Sequence, residues 1–241
     1  MPHTIRLADD RTALLAHADG PDDLPRAVGS LDLGTARPVV AVVGGAGGLG
    51  DEQLKQLAAV FTDVIAPEIR EHDAVAVDGG TDSGVMRLLG RARAAGAPFP
   101  LVGVAAVDTV NYPGHRGSNP DAAELDRNHS HFVLVPGAEW GDEATSLAKV
   151  ASLVAGGRPA ATVLVNGGEV SLSDAERSVA ENRLVLVLSG TGRSADRIAA
   201  AARGGPEDAR VTALARHPLV RVVDVGDTGA AAAALRDALR V

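Results

Sequence analysis

Seven strand-length apolar runs, each hydrophobic at nearly every position, recur along the chain at 39–43, 74–78, 100–105, 131–135, 161–166, 184–189 and 220–224. Runs without polar alternation belong to strands buried on both faces, as in a parallel sheet covered by helices. Helical periodicity fills the gaps. Its clearest stretch is 51–70, where Leu54, Leu57, Ala58, Phe61, Val64, Ile65 and Ile69 share one face. Pro67 is expected to bend or end that helix. Further helices are expected at 83–95, 142–155, 173–181, 194–203 and 228–239. Strand–helix alternation at this spacing predicts an α/β fold with a doubly wound, mostly parallel sheet of about seven strands between two helical layers.

No linker, repeat or low-complexity tract divides residues 38–241, which read as one domain. Residues 1–37 are more polar and contain Pro21, Pro25 and two Asp pairs. They read as an N-terminal extension packed on the domain or loosely attached to it, able to add an edge strand and a short helix.

Composition excludes several function classes. With 46 % hydrophobic residues the chain can build a large core. Its 23 basic against 31 acidic residues leave a formal charge of −8, which is no footprint for binding phosphate backbones, so no nucleic-acid partner is expected. Five aromatic residues offer little for base stacking. The absence of cysteine removes disulfides, thiolate catalysis and Cys-ligated metal sites. The first residues lack the apolar stretch of a secretory signal, and no run approaches the ~18 apolar residues of a membrane span. A cytoplasmic protein without a membrane partner is expected.

In open parallel sheets ligands bind beyond the carboxyl ends of the strands. Five of the seven strands run there into glycine-containing turns: VVGGAGGLGDE (42–52), DGGTDSGVM (78–86), PGAEWGDE (136–143), NGGE (166–169) and SGTGRSAD (189–196). Glycine lets backbone amides approach an anion, and a helix N-terminus favours phosphate. Each turn alone can be an ordinary strand–helix junction; five on one edge favour a nucleotide-type ligand. Gly45, Gly47 and Gly50 fit the dinucleotide spacing, yet the strand-end acid, Asp78, comes 28 residues after Gly50 rather than about 20. The only tyrosine, Tyr112, has no lysine partner of the Tyr-x-x-x-Lys kind. Hydride transfer is therefore disfavoured.

Acids crowd the same edge: Asp51, Glu52, Asp78, Asp82, Glu139, Asp142, Glu143 and Glu169. Asp51, Asp82 and Asp142 are expected as helix N-caps. Carboxylates beside a phosphate repel it, so others must point away, hold ribose hydroxyls or bind a divalent cation. Compensating charge is expected from Arg87, Arg116, Arg127, Arg193 and Arg197, with Arg193 foremost because it follows Gly190-Thr191-Gly192 at a helix start. His129 and His131 form an H-x-H pair without a convincingly spaced third ligand, so each reads as a structural histidine and no metal site is assigned. Neither a Gly-x-Ser-x-Gly elbow nor a Gly-Lys-Ser/Thr phosphate loop is present.

Six motifs in order, VVGGAGGLGD, DGGTDSGVM, PLVGVAAVDTVNYPG, NHSHFVLVPGAEWGDE, VLVNGGE and VLSGTGRSAD, resemble the prokaryotic LSDAT members of the SLOG superfamily, relatives of the N-terminal cytosolic domain of melastatin-type TRP channels. The resemblance spans about 38–224. It implies a Rossmann-like fold that senses a nucleotide-derived ligand such as ADP-ribose, NAD or an AMP-like molecule. The candidate ligand-binding residues, on the five turns, are Gly44, Gly45, Gly47, Gly48, Gly79, Gly80, Thr81, Asp82, Ser83, Gly84, Gly137, Glu139, Trp140, Gly141, Asn166, Gly167, Gly168, Glu169, Gly190, Thr191, Gly192 and Arg193. A more distant resemblance links Gly79, Gly80, Gly84, Val85 and Met86, and in part Pro136, Gly137 and Gly141, to the lonely-guy phosphoribohydrolases. There Ala138 replaces a glycine, Asp142 stands where threonine is expected, and Glu143 is out of register for the catalytic glutamate. A ligand-binding domain is favoured over an enzyme; in the enzymatic alternative, Glu143 serves an N-glycosidic hydrolase. A sensor of this kind would report to an effector protein encoded elsewhere or through self-assembly as a homo-oligomer.

Overall fold

The computed structural model describes residues 2–8, 10–45 and 50–240. Nine strands form one sheet in the order β1-β2-β8-β5-β4-β3-β9-β10-β11. These are β1 (His3–Ala8), β2 (Arg11–His17), β3 (Val39–Gly44), β4 (Val75–Asp78), β5 (Leu101–Ala106), β8 (His131–Val135), β9 (Ala160–Val165), β10 (Leu184–Ser189) and β11 (Val220–Asp224). Every pairing is parallel except β1 with β2. Two short strands, β6 (Val110–Asn111) and β7 (Ala123–Glu124), pair outside the sheet.

Continuous hydrophobicity in the strands has the expected cause. Val39, Ala41 and Val43 face one core while Val40 and Val42 face the other, and all five are buried. The first core packs under α1 (Leu24–Gly29), α5 (Ala144–Ala155), α6 (Glu169–Ala180), α7 (Arg193–Ala202) and α8 (Ala209–Ala215). The second packs under α2 (Asp51–Val60), α3 (Ala66–Glu71), α4 (Gly84–Ala94) and α9 (Thr228–Leu239). The chain is thus a three-layer α/β structure with helices on both faces.

The N-terminal segment and Pro67 take forms that the sequence left open. The N-terminal segment supplies a hairpin whose β2 pairs with β8 from Leu14↔His131 to His17↔Leu134, and Leu15 is fully buried. Pro67 does not end its helix. A five-residue π-helical turn, Phe61–Ile65, precedes it and the chain stays helical to Glu71. In a regular helix the proline ring would press on the carbonyl four residues earlier; the wider turn relieves that clash.

Strand order reverses at β3. From it the chain proceeds to β4 and β5 on one side, and β9 later pairs on the other. The crevice this leaves at the carboxyl ends is where doubly wound folds bind ligands.

Candidate functional site

At that edge lies a cavity of about 170 Å³. Gly44 and Gly79 at the strand ends, Met86 on α4, Glu143 at the N-cap of α5 and Leu147 within it, and Val170, Ser171 and Asp174 on α6 line it, with Trp140 and Gly141 from the turn before α5. Gly44 is required there. Its φ is +144°, and a Cβ would fall on the Val165 carbonyl oxygen of neighbouring β9.

Exposure at the cavity is unusual. Trp140 (41 %) and Val170 (39 %) are the large hydrophobic side chains left exposed among the described residues, and both line this one cavity. Neighbouring apolar exposure of this kind marks binding surfaces.

Two acids sit inside. Asp174 is 8 % exposed and its Oδ1 has no hydrogen-bond partner. Burial, reinforced by the Glu143 charge and opposed by Arg177, pushes its carboxyl up to about 7. Burial likewise raises the Glu143 carboxyl, although Glu143 Oε2 accepts the Gly141 amide at 3.0 Å. Sequence reasoning missed Asp174. The signal was an acid among Leu172, Ala175 and Ser178, all on the buried face of α6.

The glycine turns divide into two groups. Three already hold a carboxylate of the protein itself. Asp196 accepts the amides of Gly190 (2.6 Å) and Gly192 (3.0 Å). Asp142 Oδ2 accepts those of Ala138 and Glu139, both at 3.0 Å, and Asp78 Oδ1 accepts that of Gly80 at 2.8 Å. The turn after β9 differs. Among the described residues no carboxylate accepts from Gly167 or Gly168, and Gly168 caps the twelve-residue α6. The Arg193 guanidinium stands beside Gly168, 3.4 Å from where a Cβ would be, and forms no ion pair among the described residues. Gly45, at the exit of β3, donates its amide to Val165 O at 3.3 Å.

Gly44, Gly79, Trp140, Gly141 and Glu143 therefore meet at the cavity, with Gly45, Asn166, Gly167, Gly168 and Arg193 at the adjoining β3–β9 edge. Other residues singled out by sequence have contacts within the protein. Gly80 backs directly onto Gly103 and the Phe132 ring. Thr81 is buried and shares a hydrogen bond with Ser83. Thr191 Oγ1 accepts the Asn166 amide and donates to Leu188 O. Asp82 pairs with Arg87, and Glu169 with Arg210. Glu139 is exposed, Gly137 makes room for Asp142, and Gly84 opens α4 behind Ser83. Gly47 and Gly48 lie outside the described residues.

The N-caps also differ from expectation. They fall at Gly50, Ser83 and Glu143, one residue from Asp51, Asp82 and Asp142; the carboxylates that cap by side chain are Asp208 and Asp227. Arg87, Arg116 and Arg197 are spent on Asp82, Glu124 and the Glu207–Asp208 pair. Arg127 is exposed.

Asp78 points inward to His129. The fully buried imidazole bridges Asp78 Oδ1 (2.7 Å) and Asp126 Oδ2 (2.9 Å). Burial alone would lower its pKa, but the two carboxylates override it and push the ring up to about 9. Burial and Arg93 push His131 down to about 4. Among the described residues no three His, Asp or Glu side chains are grouped to hold a metal ion.

No helix among the described residues is long and apolar enough to cross a membrane. A comparison with curated proteins finds no match. Among solved structures, the X-ray structure of TM1055, a structural-genomics target, is similar with a TM-score of 0.54 at 18 % identity, over 83 % of this chain and 99 % of that one; this likeness speaks for the fold. The family model described as SLOG in TRPM, prokaryote, matches residues 37–234. With about four-fifths of the chain inside that match and the doubly wound sheet it implies in place, the protein belongs to the prokaryotic LSDAT family of the SLOG superfamily.

Proposed function

We propose that the crevice between β3 and β9 binds a nucleotide-derived ligand, an ADP-ribose, NAD or AMP-like molecule, and that the protein acts as its sensor. The observation carrying this reading is the pairing of an apolar cavity, flanked by exposed Trp140 and Val170, with an anion-ready rim at Gly168 and Arg193. Covering Trp140 and Val170 removes apolar surface from water. The α6 N-terminus and the unpaired guanidinium together suit a phosphate. The turns occupied by Asp196 and Asp142 present their amides to carboxylates, which would repel one. Membership of the SLOG superfamily supports a nucleotide-related role.

The cavity is smaller than the ~300–1,000 Å³ of typical ligand sites. It therefore takes one moiety, with the remainder of the ligand lying across the rim. Titration with ADP-ribose, NAD and AMP should raise the melting temperature as ligand exceeds Kd. No shift with any of them at millimolar concentration would remove the proposal.

Glu143 supports a second reading. It lies in the cavity beside Asp174, where a carboxylate could stabilise ribosyl cation character during N-glycosidic hydrolysis. Incubation with nucleoside monophosphates and NAD, followed by chromatography for free base, separates the two. Base release that disappears in Glu143→Gln selects the hydrolase.

A further inference from the structure

At the opposite edge of the sheet, where β2 and β8 begin and α4 ends, a second cavity of about 530 Å³ opens. Its volume falls within the ~300–1,000 Å³ of ordinary small-molecule sites. Arg11 at the start of β2, Arg91 in the last turn of α4, and Arg127 and Asn128 ahead of β8 line it, with Asp10 beside Arg11 and alanines in the remaining wall. Arg127, expected from the sequence to compensate charge at the ligand edge, therefore stands at the other.

Charge here runs against the rest of the chain, whose formal balance is −8. Arg91 and Arg127 are exposed, and their side chains form neither an ion pair nor a hydrogen bond among the described residues. Arg11 meets the Asp10 carboxylate at 3.9 Å, and that carboxylate is 85 % exposed; Asp9 lies outside the described residues. Behind them Arg93 donates to the carbonyls of Phe99 and Asn128. Burial and then the Arg11 charge hold its pKa down, with Asp126 opposing. Asp126 is itself committed to His129, and the α4 C-terminus adds only about half a negative charge. Gathering four guanidiniums around one loosely held acid is unfavourable, and a bound anion removes the repulsion.

The cluster is also held in place. Arg11 Nη1 donates to Asn128 Oδ1 at 3.3 Å, Asn128 Nδ2 donates to Asp126 Oδ1 at 3.2 Å, and Asp126 Oδ2 accepts from the buried His129 Nδ1 at 2.9 Å. A guanidinium anchored through one nitrogen keeps further N–H groups for the paired oxygens of a phosphate or carboxylate.

We propose that this cavity is a second anion site, separate from the crevice between β3 and β9, and that it takes a compact polyanion carrying two or more adjacent phosphate or carboxylate groups. The proposal is independent of the nucleotide reading. Three lining guanidiniums from separate elements match more than one charged group. The wall has no aromatic face on which a base would stack and no long apolar side chain to cover an acyl tail.

Calorimetric titration of the full chain with pyrophosphate, citrate and orthophosphate at low salt tests this. Pyrophosphate or citrate should bind about tenfold or more tightly than orthophosphate, because a second charged group engages a second guanidinium. The tighter of the two tells phosphate from carboxylate recognition. Raising the ionic strength should weaken binding several-fold, since salt screens exposed charges. Replacing both Arg91→Gln and Arg127→Gln should weaken it about tenfold or more, and Arg193→Gln, at the crevice, should leave it unchanged. The double variant should melt no lower than the parent protein, which keeps a loss of binding distinct from unfolding. Absence of binding at millimolar concentration, orthophosphate binding as tight as that of the polyanions, or binding that survives in the double variant and falls in Arg193→Gln would each overturn the proposal.

Discussion

Asp174 and His129 show how two buried groups tilt stability with pH in the same direction from different causes. The Asp174 carboxyl is raised from 3.8 to about 7, so the folded state holds its proton over a range where the unfolded chain has released it. Stability is full below pH 3.8 and declines as pH rises through about 7. The His129 imidazole is raised from 6.5 to about 9 by its two carboxylates. Its contribution is full below pH 6.5 and is lost as pH rises through about 9. The melting temperature should accordingly fall from mildly acidic to alkaline pH. Asp174→Asn should flatten the lower part of that slope and raise the melting temperature at pH 8 by several degrees, each 1 kcal/mol being worth about 2–4 °C at this chain length. A melting profile of the variant parallel to that of the parent protein between pH 4 and 7 would contradict this account. The site residues themselves were partly legible. Gly44, Trp140 and Glu143 stood out from the sequence, whereas Asp174 looked like a helix residue because its neighbours across the cavity come from a different helix.

The turn between β10 and α7 is the clearest case at the scale of an element. Its Gly-Thr-Gly pattern suggests a phosphate cradle, yet Asp196, in the first turn of α7, closes back onto the amides of Gly190 and Gly192. The same local physics that draws phosphate to helix starts draws a carboxylate of the chain itself when one lies four residues on. Asp196→Ala should leave these amides to water and cost up to about 1.5–3 kcal/mol, the range for hydrogen bonds to charged groups. Chemical denaturation measures it, and unchanged stability would show that the carboxylate contributes nothing to the loop. Helices α2 and α3 make a related point, since apolar spacing identified the helix but not the π turn before Pro67, whose Phe61, Val64 and Ile65 are buried in the core.

For the whole molecule, the N-terminal hairpin matters more than its polar composition suggests. Strand β2 covers the edge of β8, and Ile5, Ala13 and Leu15 pack against Ala105, Phe132 and Leu134 in a core of their own. Deleting residues 1–17 should uncover a parallel strand edge beside an apolar face and drive aggregation. Light scattering on the truncated chain checks this; a soluble monomer with unchanged melting behaviour would refute it.

Two kinds of information built this protein. Apolar runs and helical periodicity, read along the chain, already determined the doubly wound sheet, its helical layers and the edge on which the glycine turns lie, because burial on two faces leaves a pattern in consecutive residues. Which glycine turns stay open, and which acids meet, was decided only in three dimensions. A carboxylate's role depends on what approaches it: Asp196 and Asp142 fold back onto nearby amides, Asp78 finds His129 fifty-one residues away, and Asp174 finds Glu143 across an apolar hollow. No local pattern encodes those encounters, since each requires separate elements to be packed before the two groups come within reach.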